Sequence, residues 1–296
     1  MRGLPRPSAG GAAAPPFLSP RQEEYPIRYG CRAHDFGTHP AEEFAALLQE
    51  RGYNAAQLAM PKAIAGITDQ NAVTPAQLEE IRAAFTRHDI EITVLSCYRD
   101  LSNPDAEARL QAVEDVGRTL VMQRALGAGA VGSESATRDL SEEEKAALRP
   151  LLTDSVLRIV EKAARVGGVF ALEPVFVHTL GTVEALRALI DQVADPVHFK
   201  VIFDPVNVLH AGVADRQAEF WPAWIETIGP RLAAVHVKDA RFPPEGPRVP
   251  TALGEGQMDY TLIRAWLHAD HPDAALLRDE VILPAAARDL AYMKAM

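Results

Sequence analysis

The sequence predicts an α/β fold of one domain, a (β/α)8 or TIM barrel, and three observations carry the prediction. From residue 27 onward, eight short apolar runs alternate strictly with eight longer helix-like patterns. Such alternation implies parallel strands joined by right-handed crossovers, and the span matches the roughly 250 residues that a closed barrel needs. The turn after the first run, CRAHDFG at 31–37, lacks the G-x-G-x-x-G of a doubly wound dinucleotide-binding sheet.

The elements follow in order. Residues 1–25 (MRGLPRPSAGGAAAPPFLSPRQEEY) are rich in Pro, Ala and Gly, and Pro5, Pro7, Pro15 and Pro16 interrupt any signal-peptide core. A mobile tail is expected there, with the barrel over 26–296. The first strand is expected at 27–32 (IRYGCR) and its helix near 41–51; the second strand at 54–59 (NAAQLA). The helix near 75–88 opens with Thr74 and with Pro75 in its first turn, where a missing N–H costs nothing. The third strand, 91–97 (EITVLSC), precedes a helix near 105–126, and the fourth, 129–133 (GAVGS), precedes one near 141–165. That helix starts at Ser141, a good cap, and Glu142 to Glu144 complement the positive end of its dipole. Strands at 168–173 (GVFALE), 199–203 (FKVIF), 232–237 (LAAVHV) and 275–280 (ALLRDE) complete the set, with helices near 182–193, 216–228, 259–268 and 284–295.

Composition excludes several partners. The chain has 296 residues, 48% of them hydrophobic, and a net charge of −10. That balance argues against nucleic acid and against an anionic membrane surface, since both need a basic face. No apolar stretch is long enough to span a bilayer. Two cysteines, Cys31 and Cys97, make no disulfide framework, so a reduced cytoplasm is the simplest setting. With no group nearby to lower their pKa, both are expected to pack rather than react.

In a barrel the active site forms at the C-terminal ends of the strands. Four consecutive runs end on metal-type ligands: Glu173 in FALEPV, Asp204 in VIFDPVN, His236 in AAVHVKDARF, and Asp279 with Glu280 in ALLRDEV. One such residue alone is more often a cap or an ion-pair partner. Four on one rim must be compensated, because buried uncompensated charge is costly. Three carboxylates and an imidazole suit a hard divalent ion such as Mn, Mg or Co better than structural Zn, which prefers thiolates.

ALEPV, FDPVN, HVKDAR and LGEGQMDY together resemble the sugar isomerase/epimerase family with the xylose-isomerase-like TIM barrel. That group includes tagatose/psicose 3-epimerases, inosose dehydratases and endonuclease IV, and the resemblance covers about residues 27–295. It implies one divalent ion, Mn first and Mg or Co next, held by Glu173, Asp204, His236 and Glu280. Asp279 competes with Glu280 for the last place; Glu280 is preferred because it ends the run and reaches further. The resemblance also implies proton transfer next to a sugar carbonyl through a metal-bound enediolate, with Glu173 and Glu280 as the acid/base pair. Return of the proton to the other face epimerises, return to the next carbon isomerises, and loss of a β-hydroxyl dehydrates.

His178, Arg241, Asn207, His34, Tyr98 and Glu134 lie near strand ends and are expected to bind a small carbohydrate substrate. Lys238 is expected to point away from His236, with an ion pair to Asp239 as one reading. The Pro/Gly-rich stretch FPPEGPRVPTALGEGQ after the seventh strand either covers the pocket or merely connects. Three rivals remain. A nuclease with several metals is disfavoured by acidity and by Asn207, which stands where that group and many epimerases have His. A lyase acting on a keto-sugar, keto-inositol or sugar conjugate is the alternative enzyme. A non-catalytic sugar-binding barrel would not need Glu173, Asp204, His236 and Glu280 together. A homo-oligomer is left open by analogy with the family.

Overall fold

Eight parallel strands close into a barrel in a computed structural model that describes residues 27–296; the segment at 1–25 lies outside the described residues. The strands are β1 (Tyr29–Arg32), β2 (Ala55–Leu58), β3 (Glu91–Ser96), β4 (Ala130–Glu134), β5 (Phe170–Glu173), β6 (Phe199–Phe203), β7 (Leu232–Val237) and β8 (Leu276–Arg278). Each pairs with its sequence neighbours, and β1 closes the ring against β8 with Tyr29 opposite Leu276. The eight expected strands are all present. The last one is shorter than expected, because Glu280 turns into left-handed backbone at φ 54°.

Eight helices surround the barrel: α1 (Ala41–Glu50), α2 (Pro75–Arg87), α3 (Ala106–Leu126), α4 (Glu142–Val166), α5 (Val183–Val193), α6 (Gln217–Ile228), α7 (Thr261–Asp270) and α8 (Ala286–Lys294). Side-chain caps fix the starts of four of them, α2 to α5. Thr74 and Gln77 form a reciprocal capping box on α2, as do Ser141 and Glu144 on α4. Among the described residues no helix is long and apolar enough to cross a membrane.

Alternation along a strand sends successive side chains to opposite faces. One set fills the barrel: Ala55, Val94, Ala130, Ala171, Ile202, Ala234, Ala275 and Leu277. The other set packs on the helices, where Phe170, Phe199, Phe203, Trp221 and Trp224 are buried together. Small residues on the inner set let the wall close. A Cβ on Gly30 would sit 2.5 Å from Leu277 Cδ2 and 2.6 Å from the Ala55 carbonyl oxygen, so only glycine fits β1 at that level.

The loop after β7 is built on Asp239. Its carboxylate accepts from the backbone N–H groups of Ala240, Gly254, Gly256 and Met258 at 2.8–3.1 Å. These bonds tie LGEGQM back onto the strand and brace a two-stranded hairpin of Asp239–Arg241 and Val249–Thr251. The pairing of Lys238 with Asp239 is therefore not what forms; this carboxylate serves the loop.

Candidate metal and substrate site

Counting two residues on from each inward-facing residue locates the site. Ala171 leads to Glu173, Ile202 to Asp204, Ala234 to His236 and Leu277 to Asp279. One ligand atom from each of these four lies within 4.8 Å of all the others. All four side chains are buried.

The fourth place differs from the sequence expectation. Asp279, not Glu280, stands in the cluster. Glu280 has the opposite parity and left-handed backbone, and its carboxylate lies on the cavity wall outside the cluster. There it is held by Arg248, whose Nη1 is 2.9 Å from Oε2 and whose Nη2 is 2.5 Å from Oε1. Burial alone would raise its pKa; the Arg248 and Lys238 charges outweigh this and lower it. Asp279 is held far below the usual carboxylate range, burial being overcome by Lys238, His236 and Arg32. Lys238 Nζ is 2.8 Å from its Oδ2 and Arg32 Nη1 is 2.7 Å from its Oδ1.

Lys238 is a site residue that the sequence reading turned the wrong way. It stands two residues after His236 on an extended chain and so shares its face. Besides Asp279, its ammonium lies 3.0 Å from Asp204 Oδ2 and 3.3 Å from Glu280 Oε1. Burial opposes its charge, but these carboxylates raise its pKa well above the ordinary lysine value.

The cluster has atoms to spare. Both ring nitrogens of His236, which is fully buried, lack a hydrogen-bond partner, as does Asp204 Oδ2, whose contact with Lys238 is an ion pair only. Buried polar atoms are rarely left so without a reason. His236 Nδ1 is 3.4 Å from Glu173 Oε1, 3.6 Å from Asp204 Oδ2 and 3.7 Å from Asp279 Oδ2. Burial disfavours its protonation, yet the charges of Glu173, Asp204 and Asp279 push its pKa up to about 10. Three carboxylates outnumber the two cations that meet them, Lys238 and Arg32, and stand with an imidazole whose two nitrogens are unpartnered. That donor set, three carboxylates and an imidazole, fits a divalent ion.

A cavity of about 660 Å³ opens on the cluster. Most of the expected substrate residues line it: His34, Tyr98, Glu134, His178 and Asn207. Tyr98 OH donates to Glu173 Oε2 at 2.9 Å and Asn207 Nδ2 donates to Oε1 at 2.6 Å, so both oxygens of Glu173 are oriented. Glu134 lies beside Glu173 in strand register. Burial and then the Glu173 charge push its pKa up to about 8, and His178 Nδ1 is 3.4 Å from it. Burial lowers the pKa of His178 and of His34. Arg241 is the exception: it is exposed, and its Nη2 donates to the Glu255 carbonyl at 3.2 Å, on the hairpin away from the cavity. Arg248, from the turn of the same loop, does line the cavity, together with Arg32 and Arg99.

Residues 45–292 match the family model described as the xylose isomerase-like TIM barrel. The chain belongs to that family. No curated protein matches the sequence. Solved structures share the xylose isomerase-like fold at low identity. The apo 3-keto-D-glucoside 4-epimerase from E. coli aligns at 19% identity and TM-score 0.68, covering 91% of this chain and 100% of that one. A xylose isomerase-like TIM barrel protein from Mycobacterium smegmatis, in complex with magnesium, aligns at 18% and 0.69, covering 90% and 95%. The IOLI protein with a bound zinc atom aligns at 15% and 0.70, covering 91% and 96%.

Proposed function

We propose that this protein is a divalent-metal-dependent isomerase or epimerase of a sugar or keto-sugar. The observation that carries the reading is the buried cluster of Glu173, Asp204, His236 and Asp279, with donor atoms unpartnered, at the floor of a polar cavity. These four residues would hold the ion, with Mn the first choice and Mg or Co next. The family match and the sugar epimerases among the structural neighbours support the same reading.

When bound, the ion supplies positive charge that polarises a substrate carbonyl and raises the acidity of the adjoining C–H. Glu173 takes that proton. Its two oxygens are aimed by Tyr98 and Asn207, which fixes the direction of transfer. Glu280 reaches the same cavity from β8, three places round the barrel, and serves the second face of the carbon. Arg248 and Lys238 keep it ionised between turnovers. His34, His178 and Asn207 bind hydroxyls.

The lyase reading has one observation in its favour. Elimination needs an acid for the departing hydroxyl, and Glu134, its pKa pushed up to about 8, keeps a proton at neutral pH. One experiment separates the readings. Ketoses, keto-inositols and keto-glycosides are incubated with Mn-loaded protein in D2O, and exchange at the carbon next to the carbonyl is followed by NMR. Exchange with retained hydroxyls supports the isomerase, and loss of water supports the lyase. Folded, Mn-loaded protein that exchanges no proton in any class sinks both. Glu173→Gln should lower exchange by at least about a hundredfold with the fold intact.

A further inference from the structure

A second cavity, of about 690 Å³, adjoins the site. The two share Val175, Asn207 and Arg248 as a common wall. Their linings differ in kind. The site cavity is ringed by charged groups, whereas Phe176, Leu209, His210, Phe242, Pro243 and Pro247 line its neighbour. The charged members of the second lining are Asp139 and Arg248, and Arg248 spends its charge on Glu280. The rings of Phe176 and His210 stack at 4.1 Å with 17° between their planes, and Phe220 meets His210 edge-on at 6.3 Å. Burial, and then the Lys145 charge, lowers the His210 pKa; the Lys145 ammonium itself lies 4.9 Å from the centre of the Phe176 ring.

This apolar wall is fixed to the reacting end. Val175 and Phe176 follow Glu173 by two and three residues, across Pro174. The Phe176 N–H donates to the Asn207 carbonyl at 2.7 Å, and Lys145 Nζ donates to the Phe176 carbonyl at 2.7 Å. Asn207 also holds Glu173, so the aromatic stack and the proton-transfer carboxylate keep one relative position. A free sugar bears hydroxyls all round and would leave the second cavity unused. Each cavity is by itself large enough for a ring system.

We infer that the substrate is a sugar conjugate, a keto-glycoside whose oxidised sugar ring sits over the cluster and whose apolar, flat aglycone lies against the Phe176–His210 stack. This rests on the sugar reaction proposed above and names its substrate class. Two carbonyl-free analogues with one sugar and different aglycones test the binding alone: 4-methylumbelliferyl β-D-glucoside and methyl β-D-glucoside, titrated calorimetrically into the full chain with and without Mn. The aryl glycoside should bind about tenfold more tightly. Phe176→Ala and His210→Ala should each remove most of that advantage and leave the methyl glycoside unchanged. Ala211→Trp, at the exposed lip of the cavity, should exclude the aryl probe alone. Equal affinities, an aryl advantage that survives these variants, or no binding of either probe at millimolar concentration overturns the inference. Aryl-selective binding of these analogues together with no proton exchange in keto-glycosides in D2O would instead sink the reaction and leave the aglycone site standing.

Discussion

Asp279→Asn and Glu280→Gln are near-isosteric changes at adjacent residues, and the structure assigns them opposite consequences. Asp279 offers a buried oxygen within 4.8 Å of the donor atoms of Glu173, Asp204 and His236. Neutralising it removes one of the three carboxylate charges in the cluster. Two unit charges 4 Å apart attract by about 4 kcal/mol at an effective dielectric of about 20, and a divalent ion doubles that. The amide oxygen of Asn keeps part of the ligation, so a net loss of about 3–4 kcal/mol is reasonable, a factor of several hundred in ion affinity. The charge of Glu280 is already matched by Arg248 at 2.9 and 2.5 Å. Its removal is an outer effect, on the order of tenfold. Titration of Mn into each folded variant by calorimetry gives both numbers directly, with circular dichroism as the check on folding. A Glu280→Gln variant that loses as much affinity as Asp279→Asn, or more, would refute the assignment.

The other predictions concern charge inside the barrel and around it. Lys238→Met removes the cation that offsets Asp204 and Asp279; Mn affinity should rise about tenfold while the metal-free protein melts lower, and weaker Mn binding would contradict the charge count. Asp289→Ala strands Arg278, since both are buried and Arg278 Nε donates to Asp289 Oδ2 at 2.8 Å; urea unfolding should show a loss of about 3–5 kcal/mol, and a loss below about 1 kcal/mol would mean the pair is not structural. Asp115 accepts from Arg99, Gln111 and Asn71 at 2.8–3.1 Å, and although burial raises its pKa these bonds bring it below the usual aspartate value. A depressed carboxylate stabilises the fold above its unfolded pKa near 4 and loses that contribution as pH falls through the lower folded value. Asp115→Asn should therefore cost about 1–3 kcal/mol at pH 7 and progressively less toward pH 3; a cost independent of pH would show that the charge is not what matters.

The fold was legible because each barrel strand is buried on both faces and so reads as an apolar run, such as VIF at 201–203, bounded by helical periodicity. Glu173, Asp204 and His236 were legible because a polar residue that closes such a run has no packing reason to be there. The fourth member of the cluster was expected to be Glu280 by weighing reach instead of phase. Ala275 and Leu277 face inward, so period two selects Asp279 from the sequence alone, and Glu280 falls on the wrong face before its backbone turns. Arg241 was chosen because it lies near a strand end, but the hairpin redirects it to solvent. Arg248 carried no signal: it comes from a Pro/Gly-rich loop without periodicity, and only the folded loop brings it to Glu280. The 690 Å³ cavity was equally hidden, since Phe176 and His210 are distant in the chain and stack only once β5 and β6 are side by side.

The stretch His236 to Asp239 shows how much one strand end can hold. His236 faces the cluster and offers two free nitrogens. Val237 packs outward into the core and accepts at its carbonyl from Arg278. Lys238 returns to the cluster and cancels one of its negative charges. Asp239 turns away and gathers four backbone N–H groups of the following loop. That loop carries Arg248 back onto Glu280 and Asn207. Candidate ion ligand, internal counter-charge and loop anchor thus occur in four consecutive residues, alternating in and out as an extended chain requires. HVKD is better understood as two interleaved pairs: a histidine and lysine for the site, and a valine and aspartate for the wall and its loop. A substitution at Asp239 should accordingly act on the site through the position of Arg248, leaving the four ligand residues where they are.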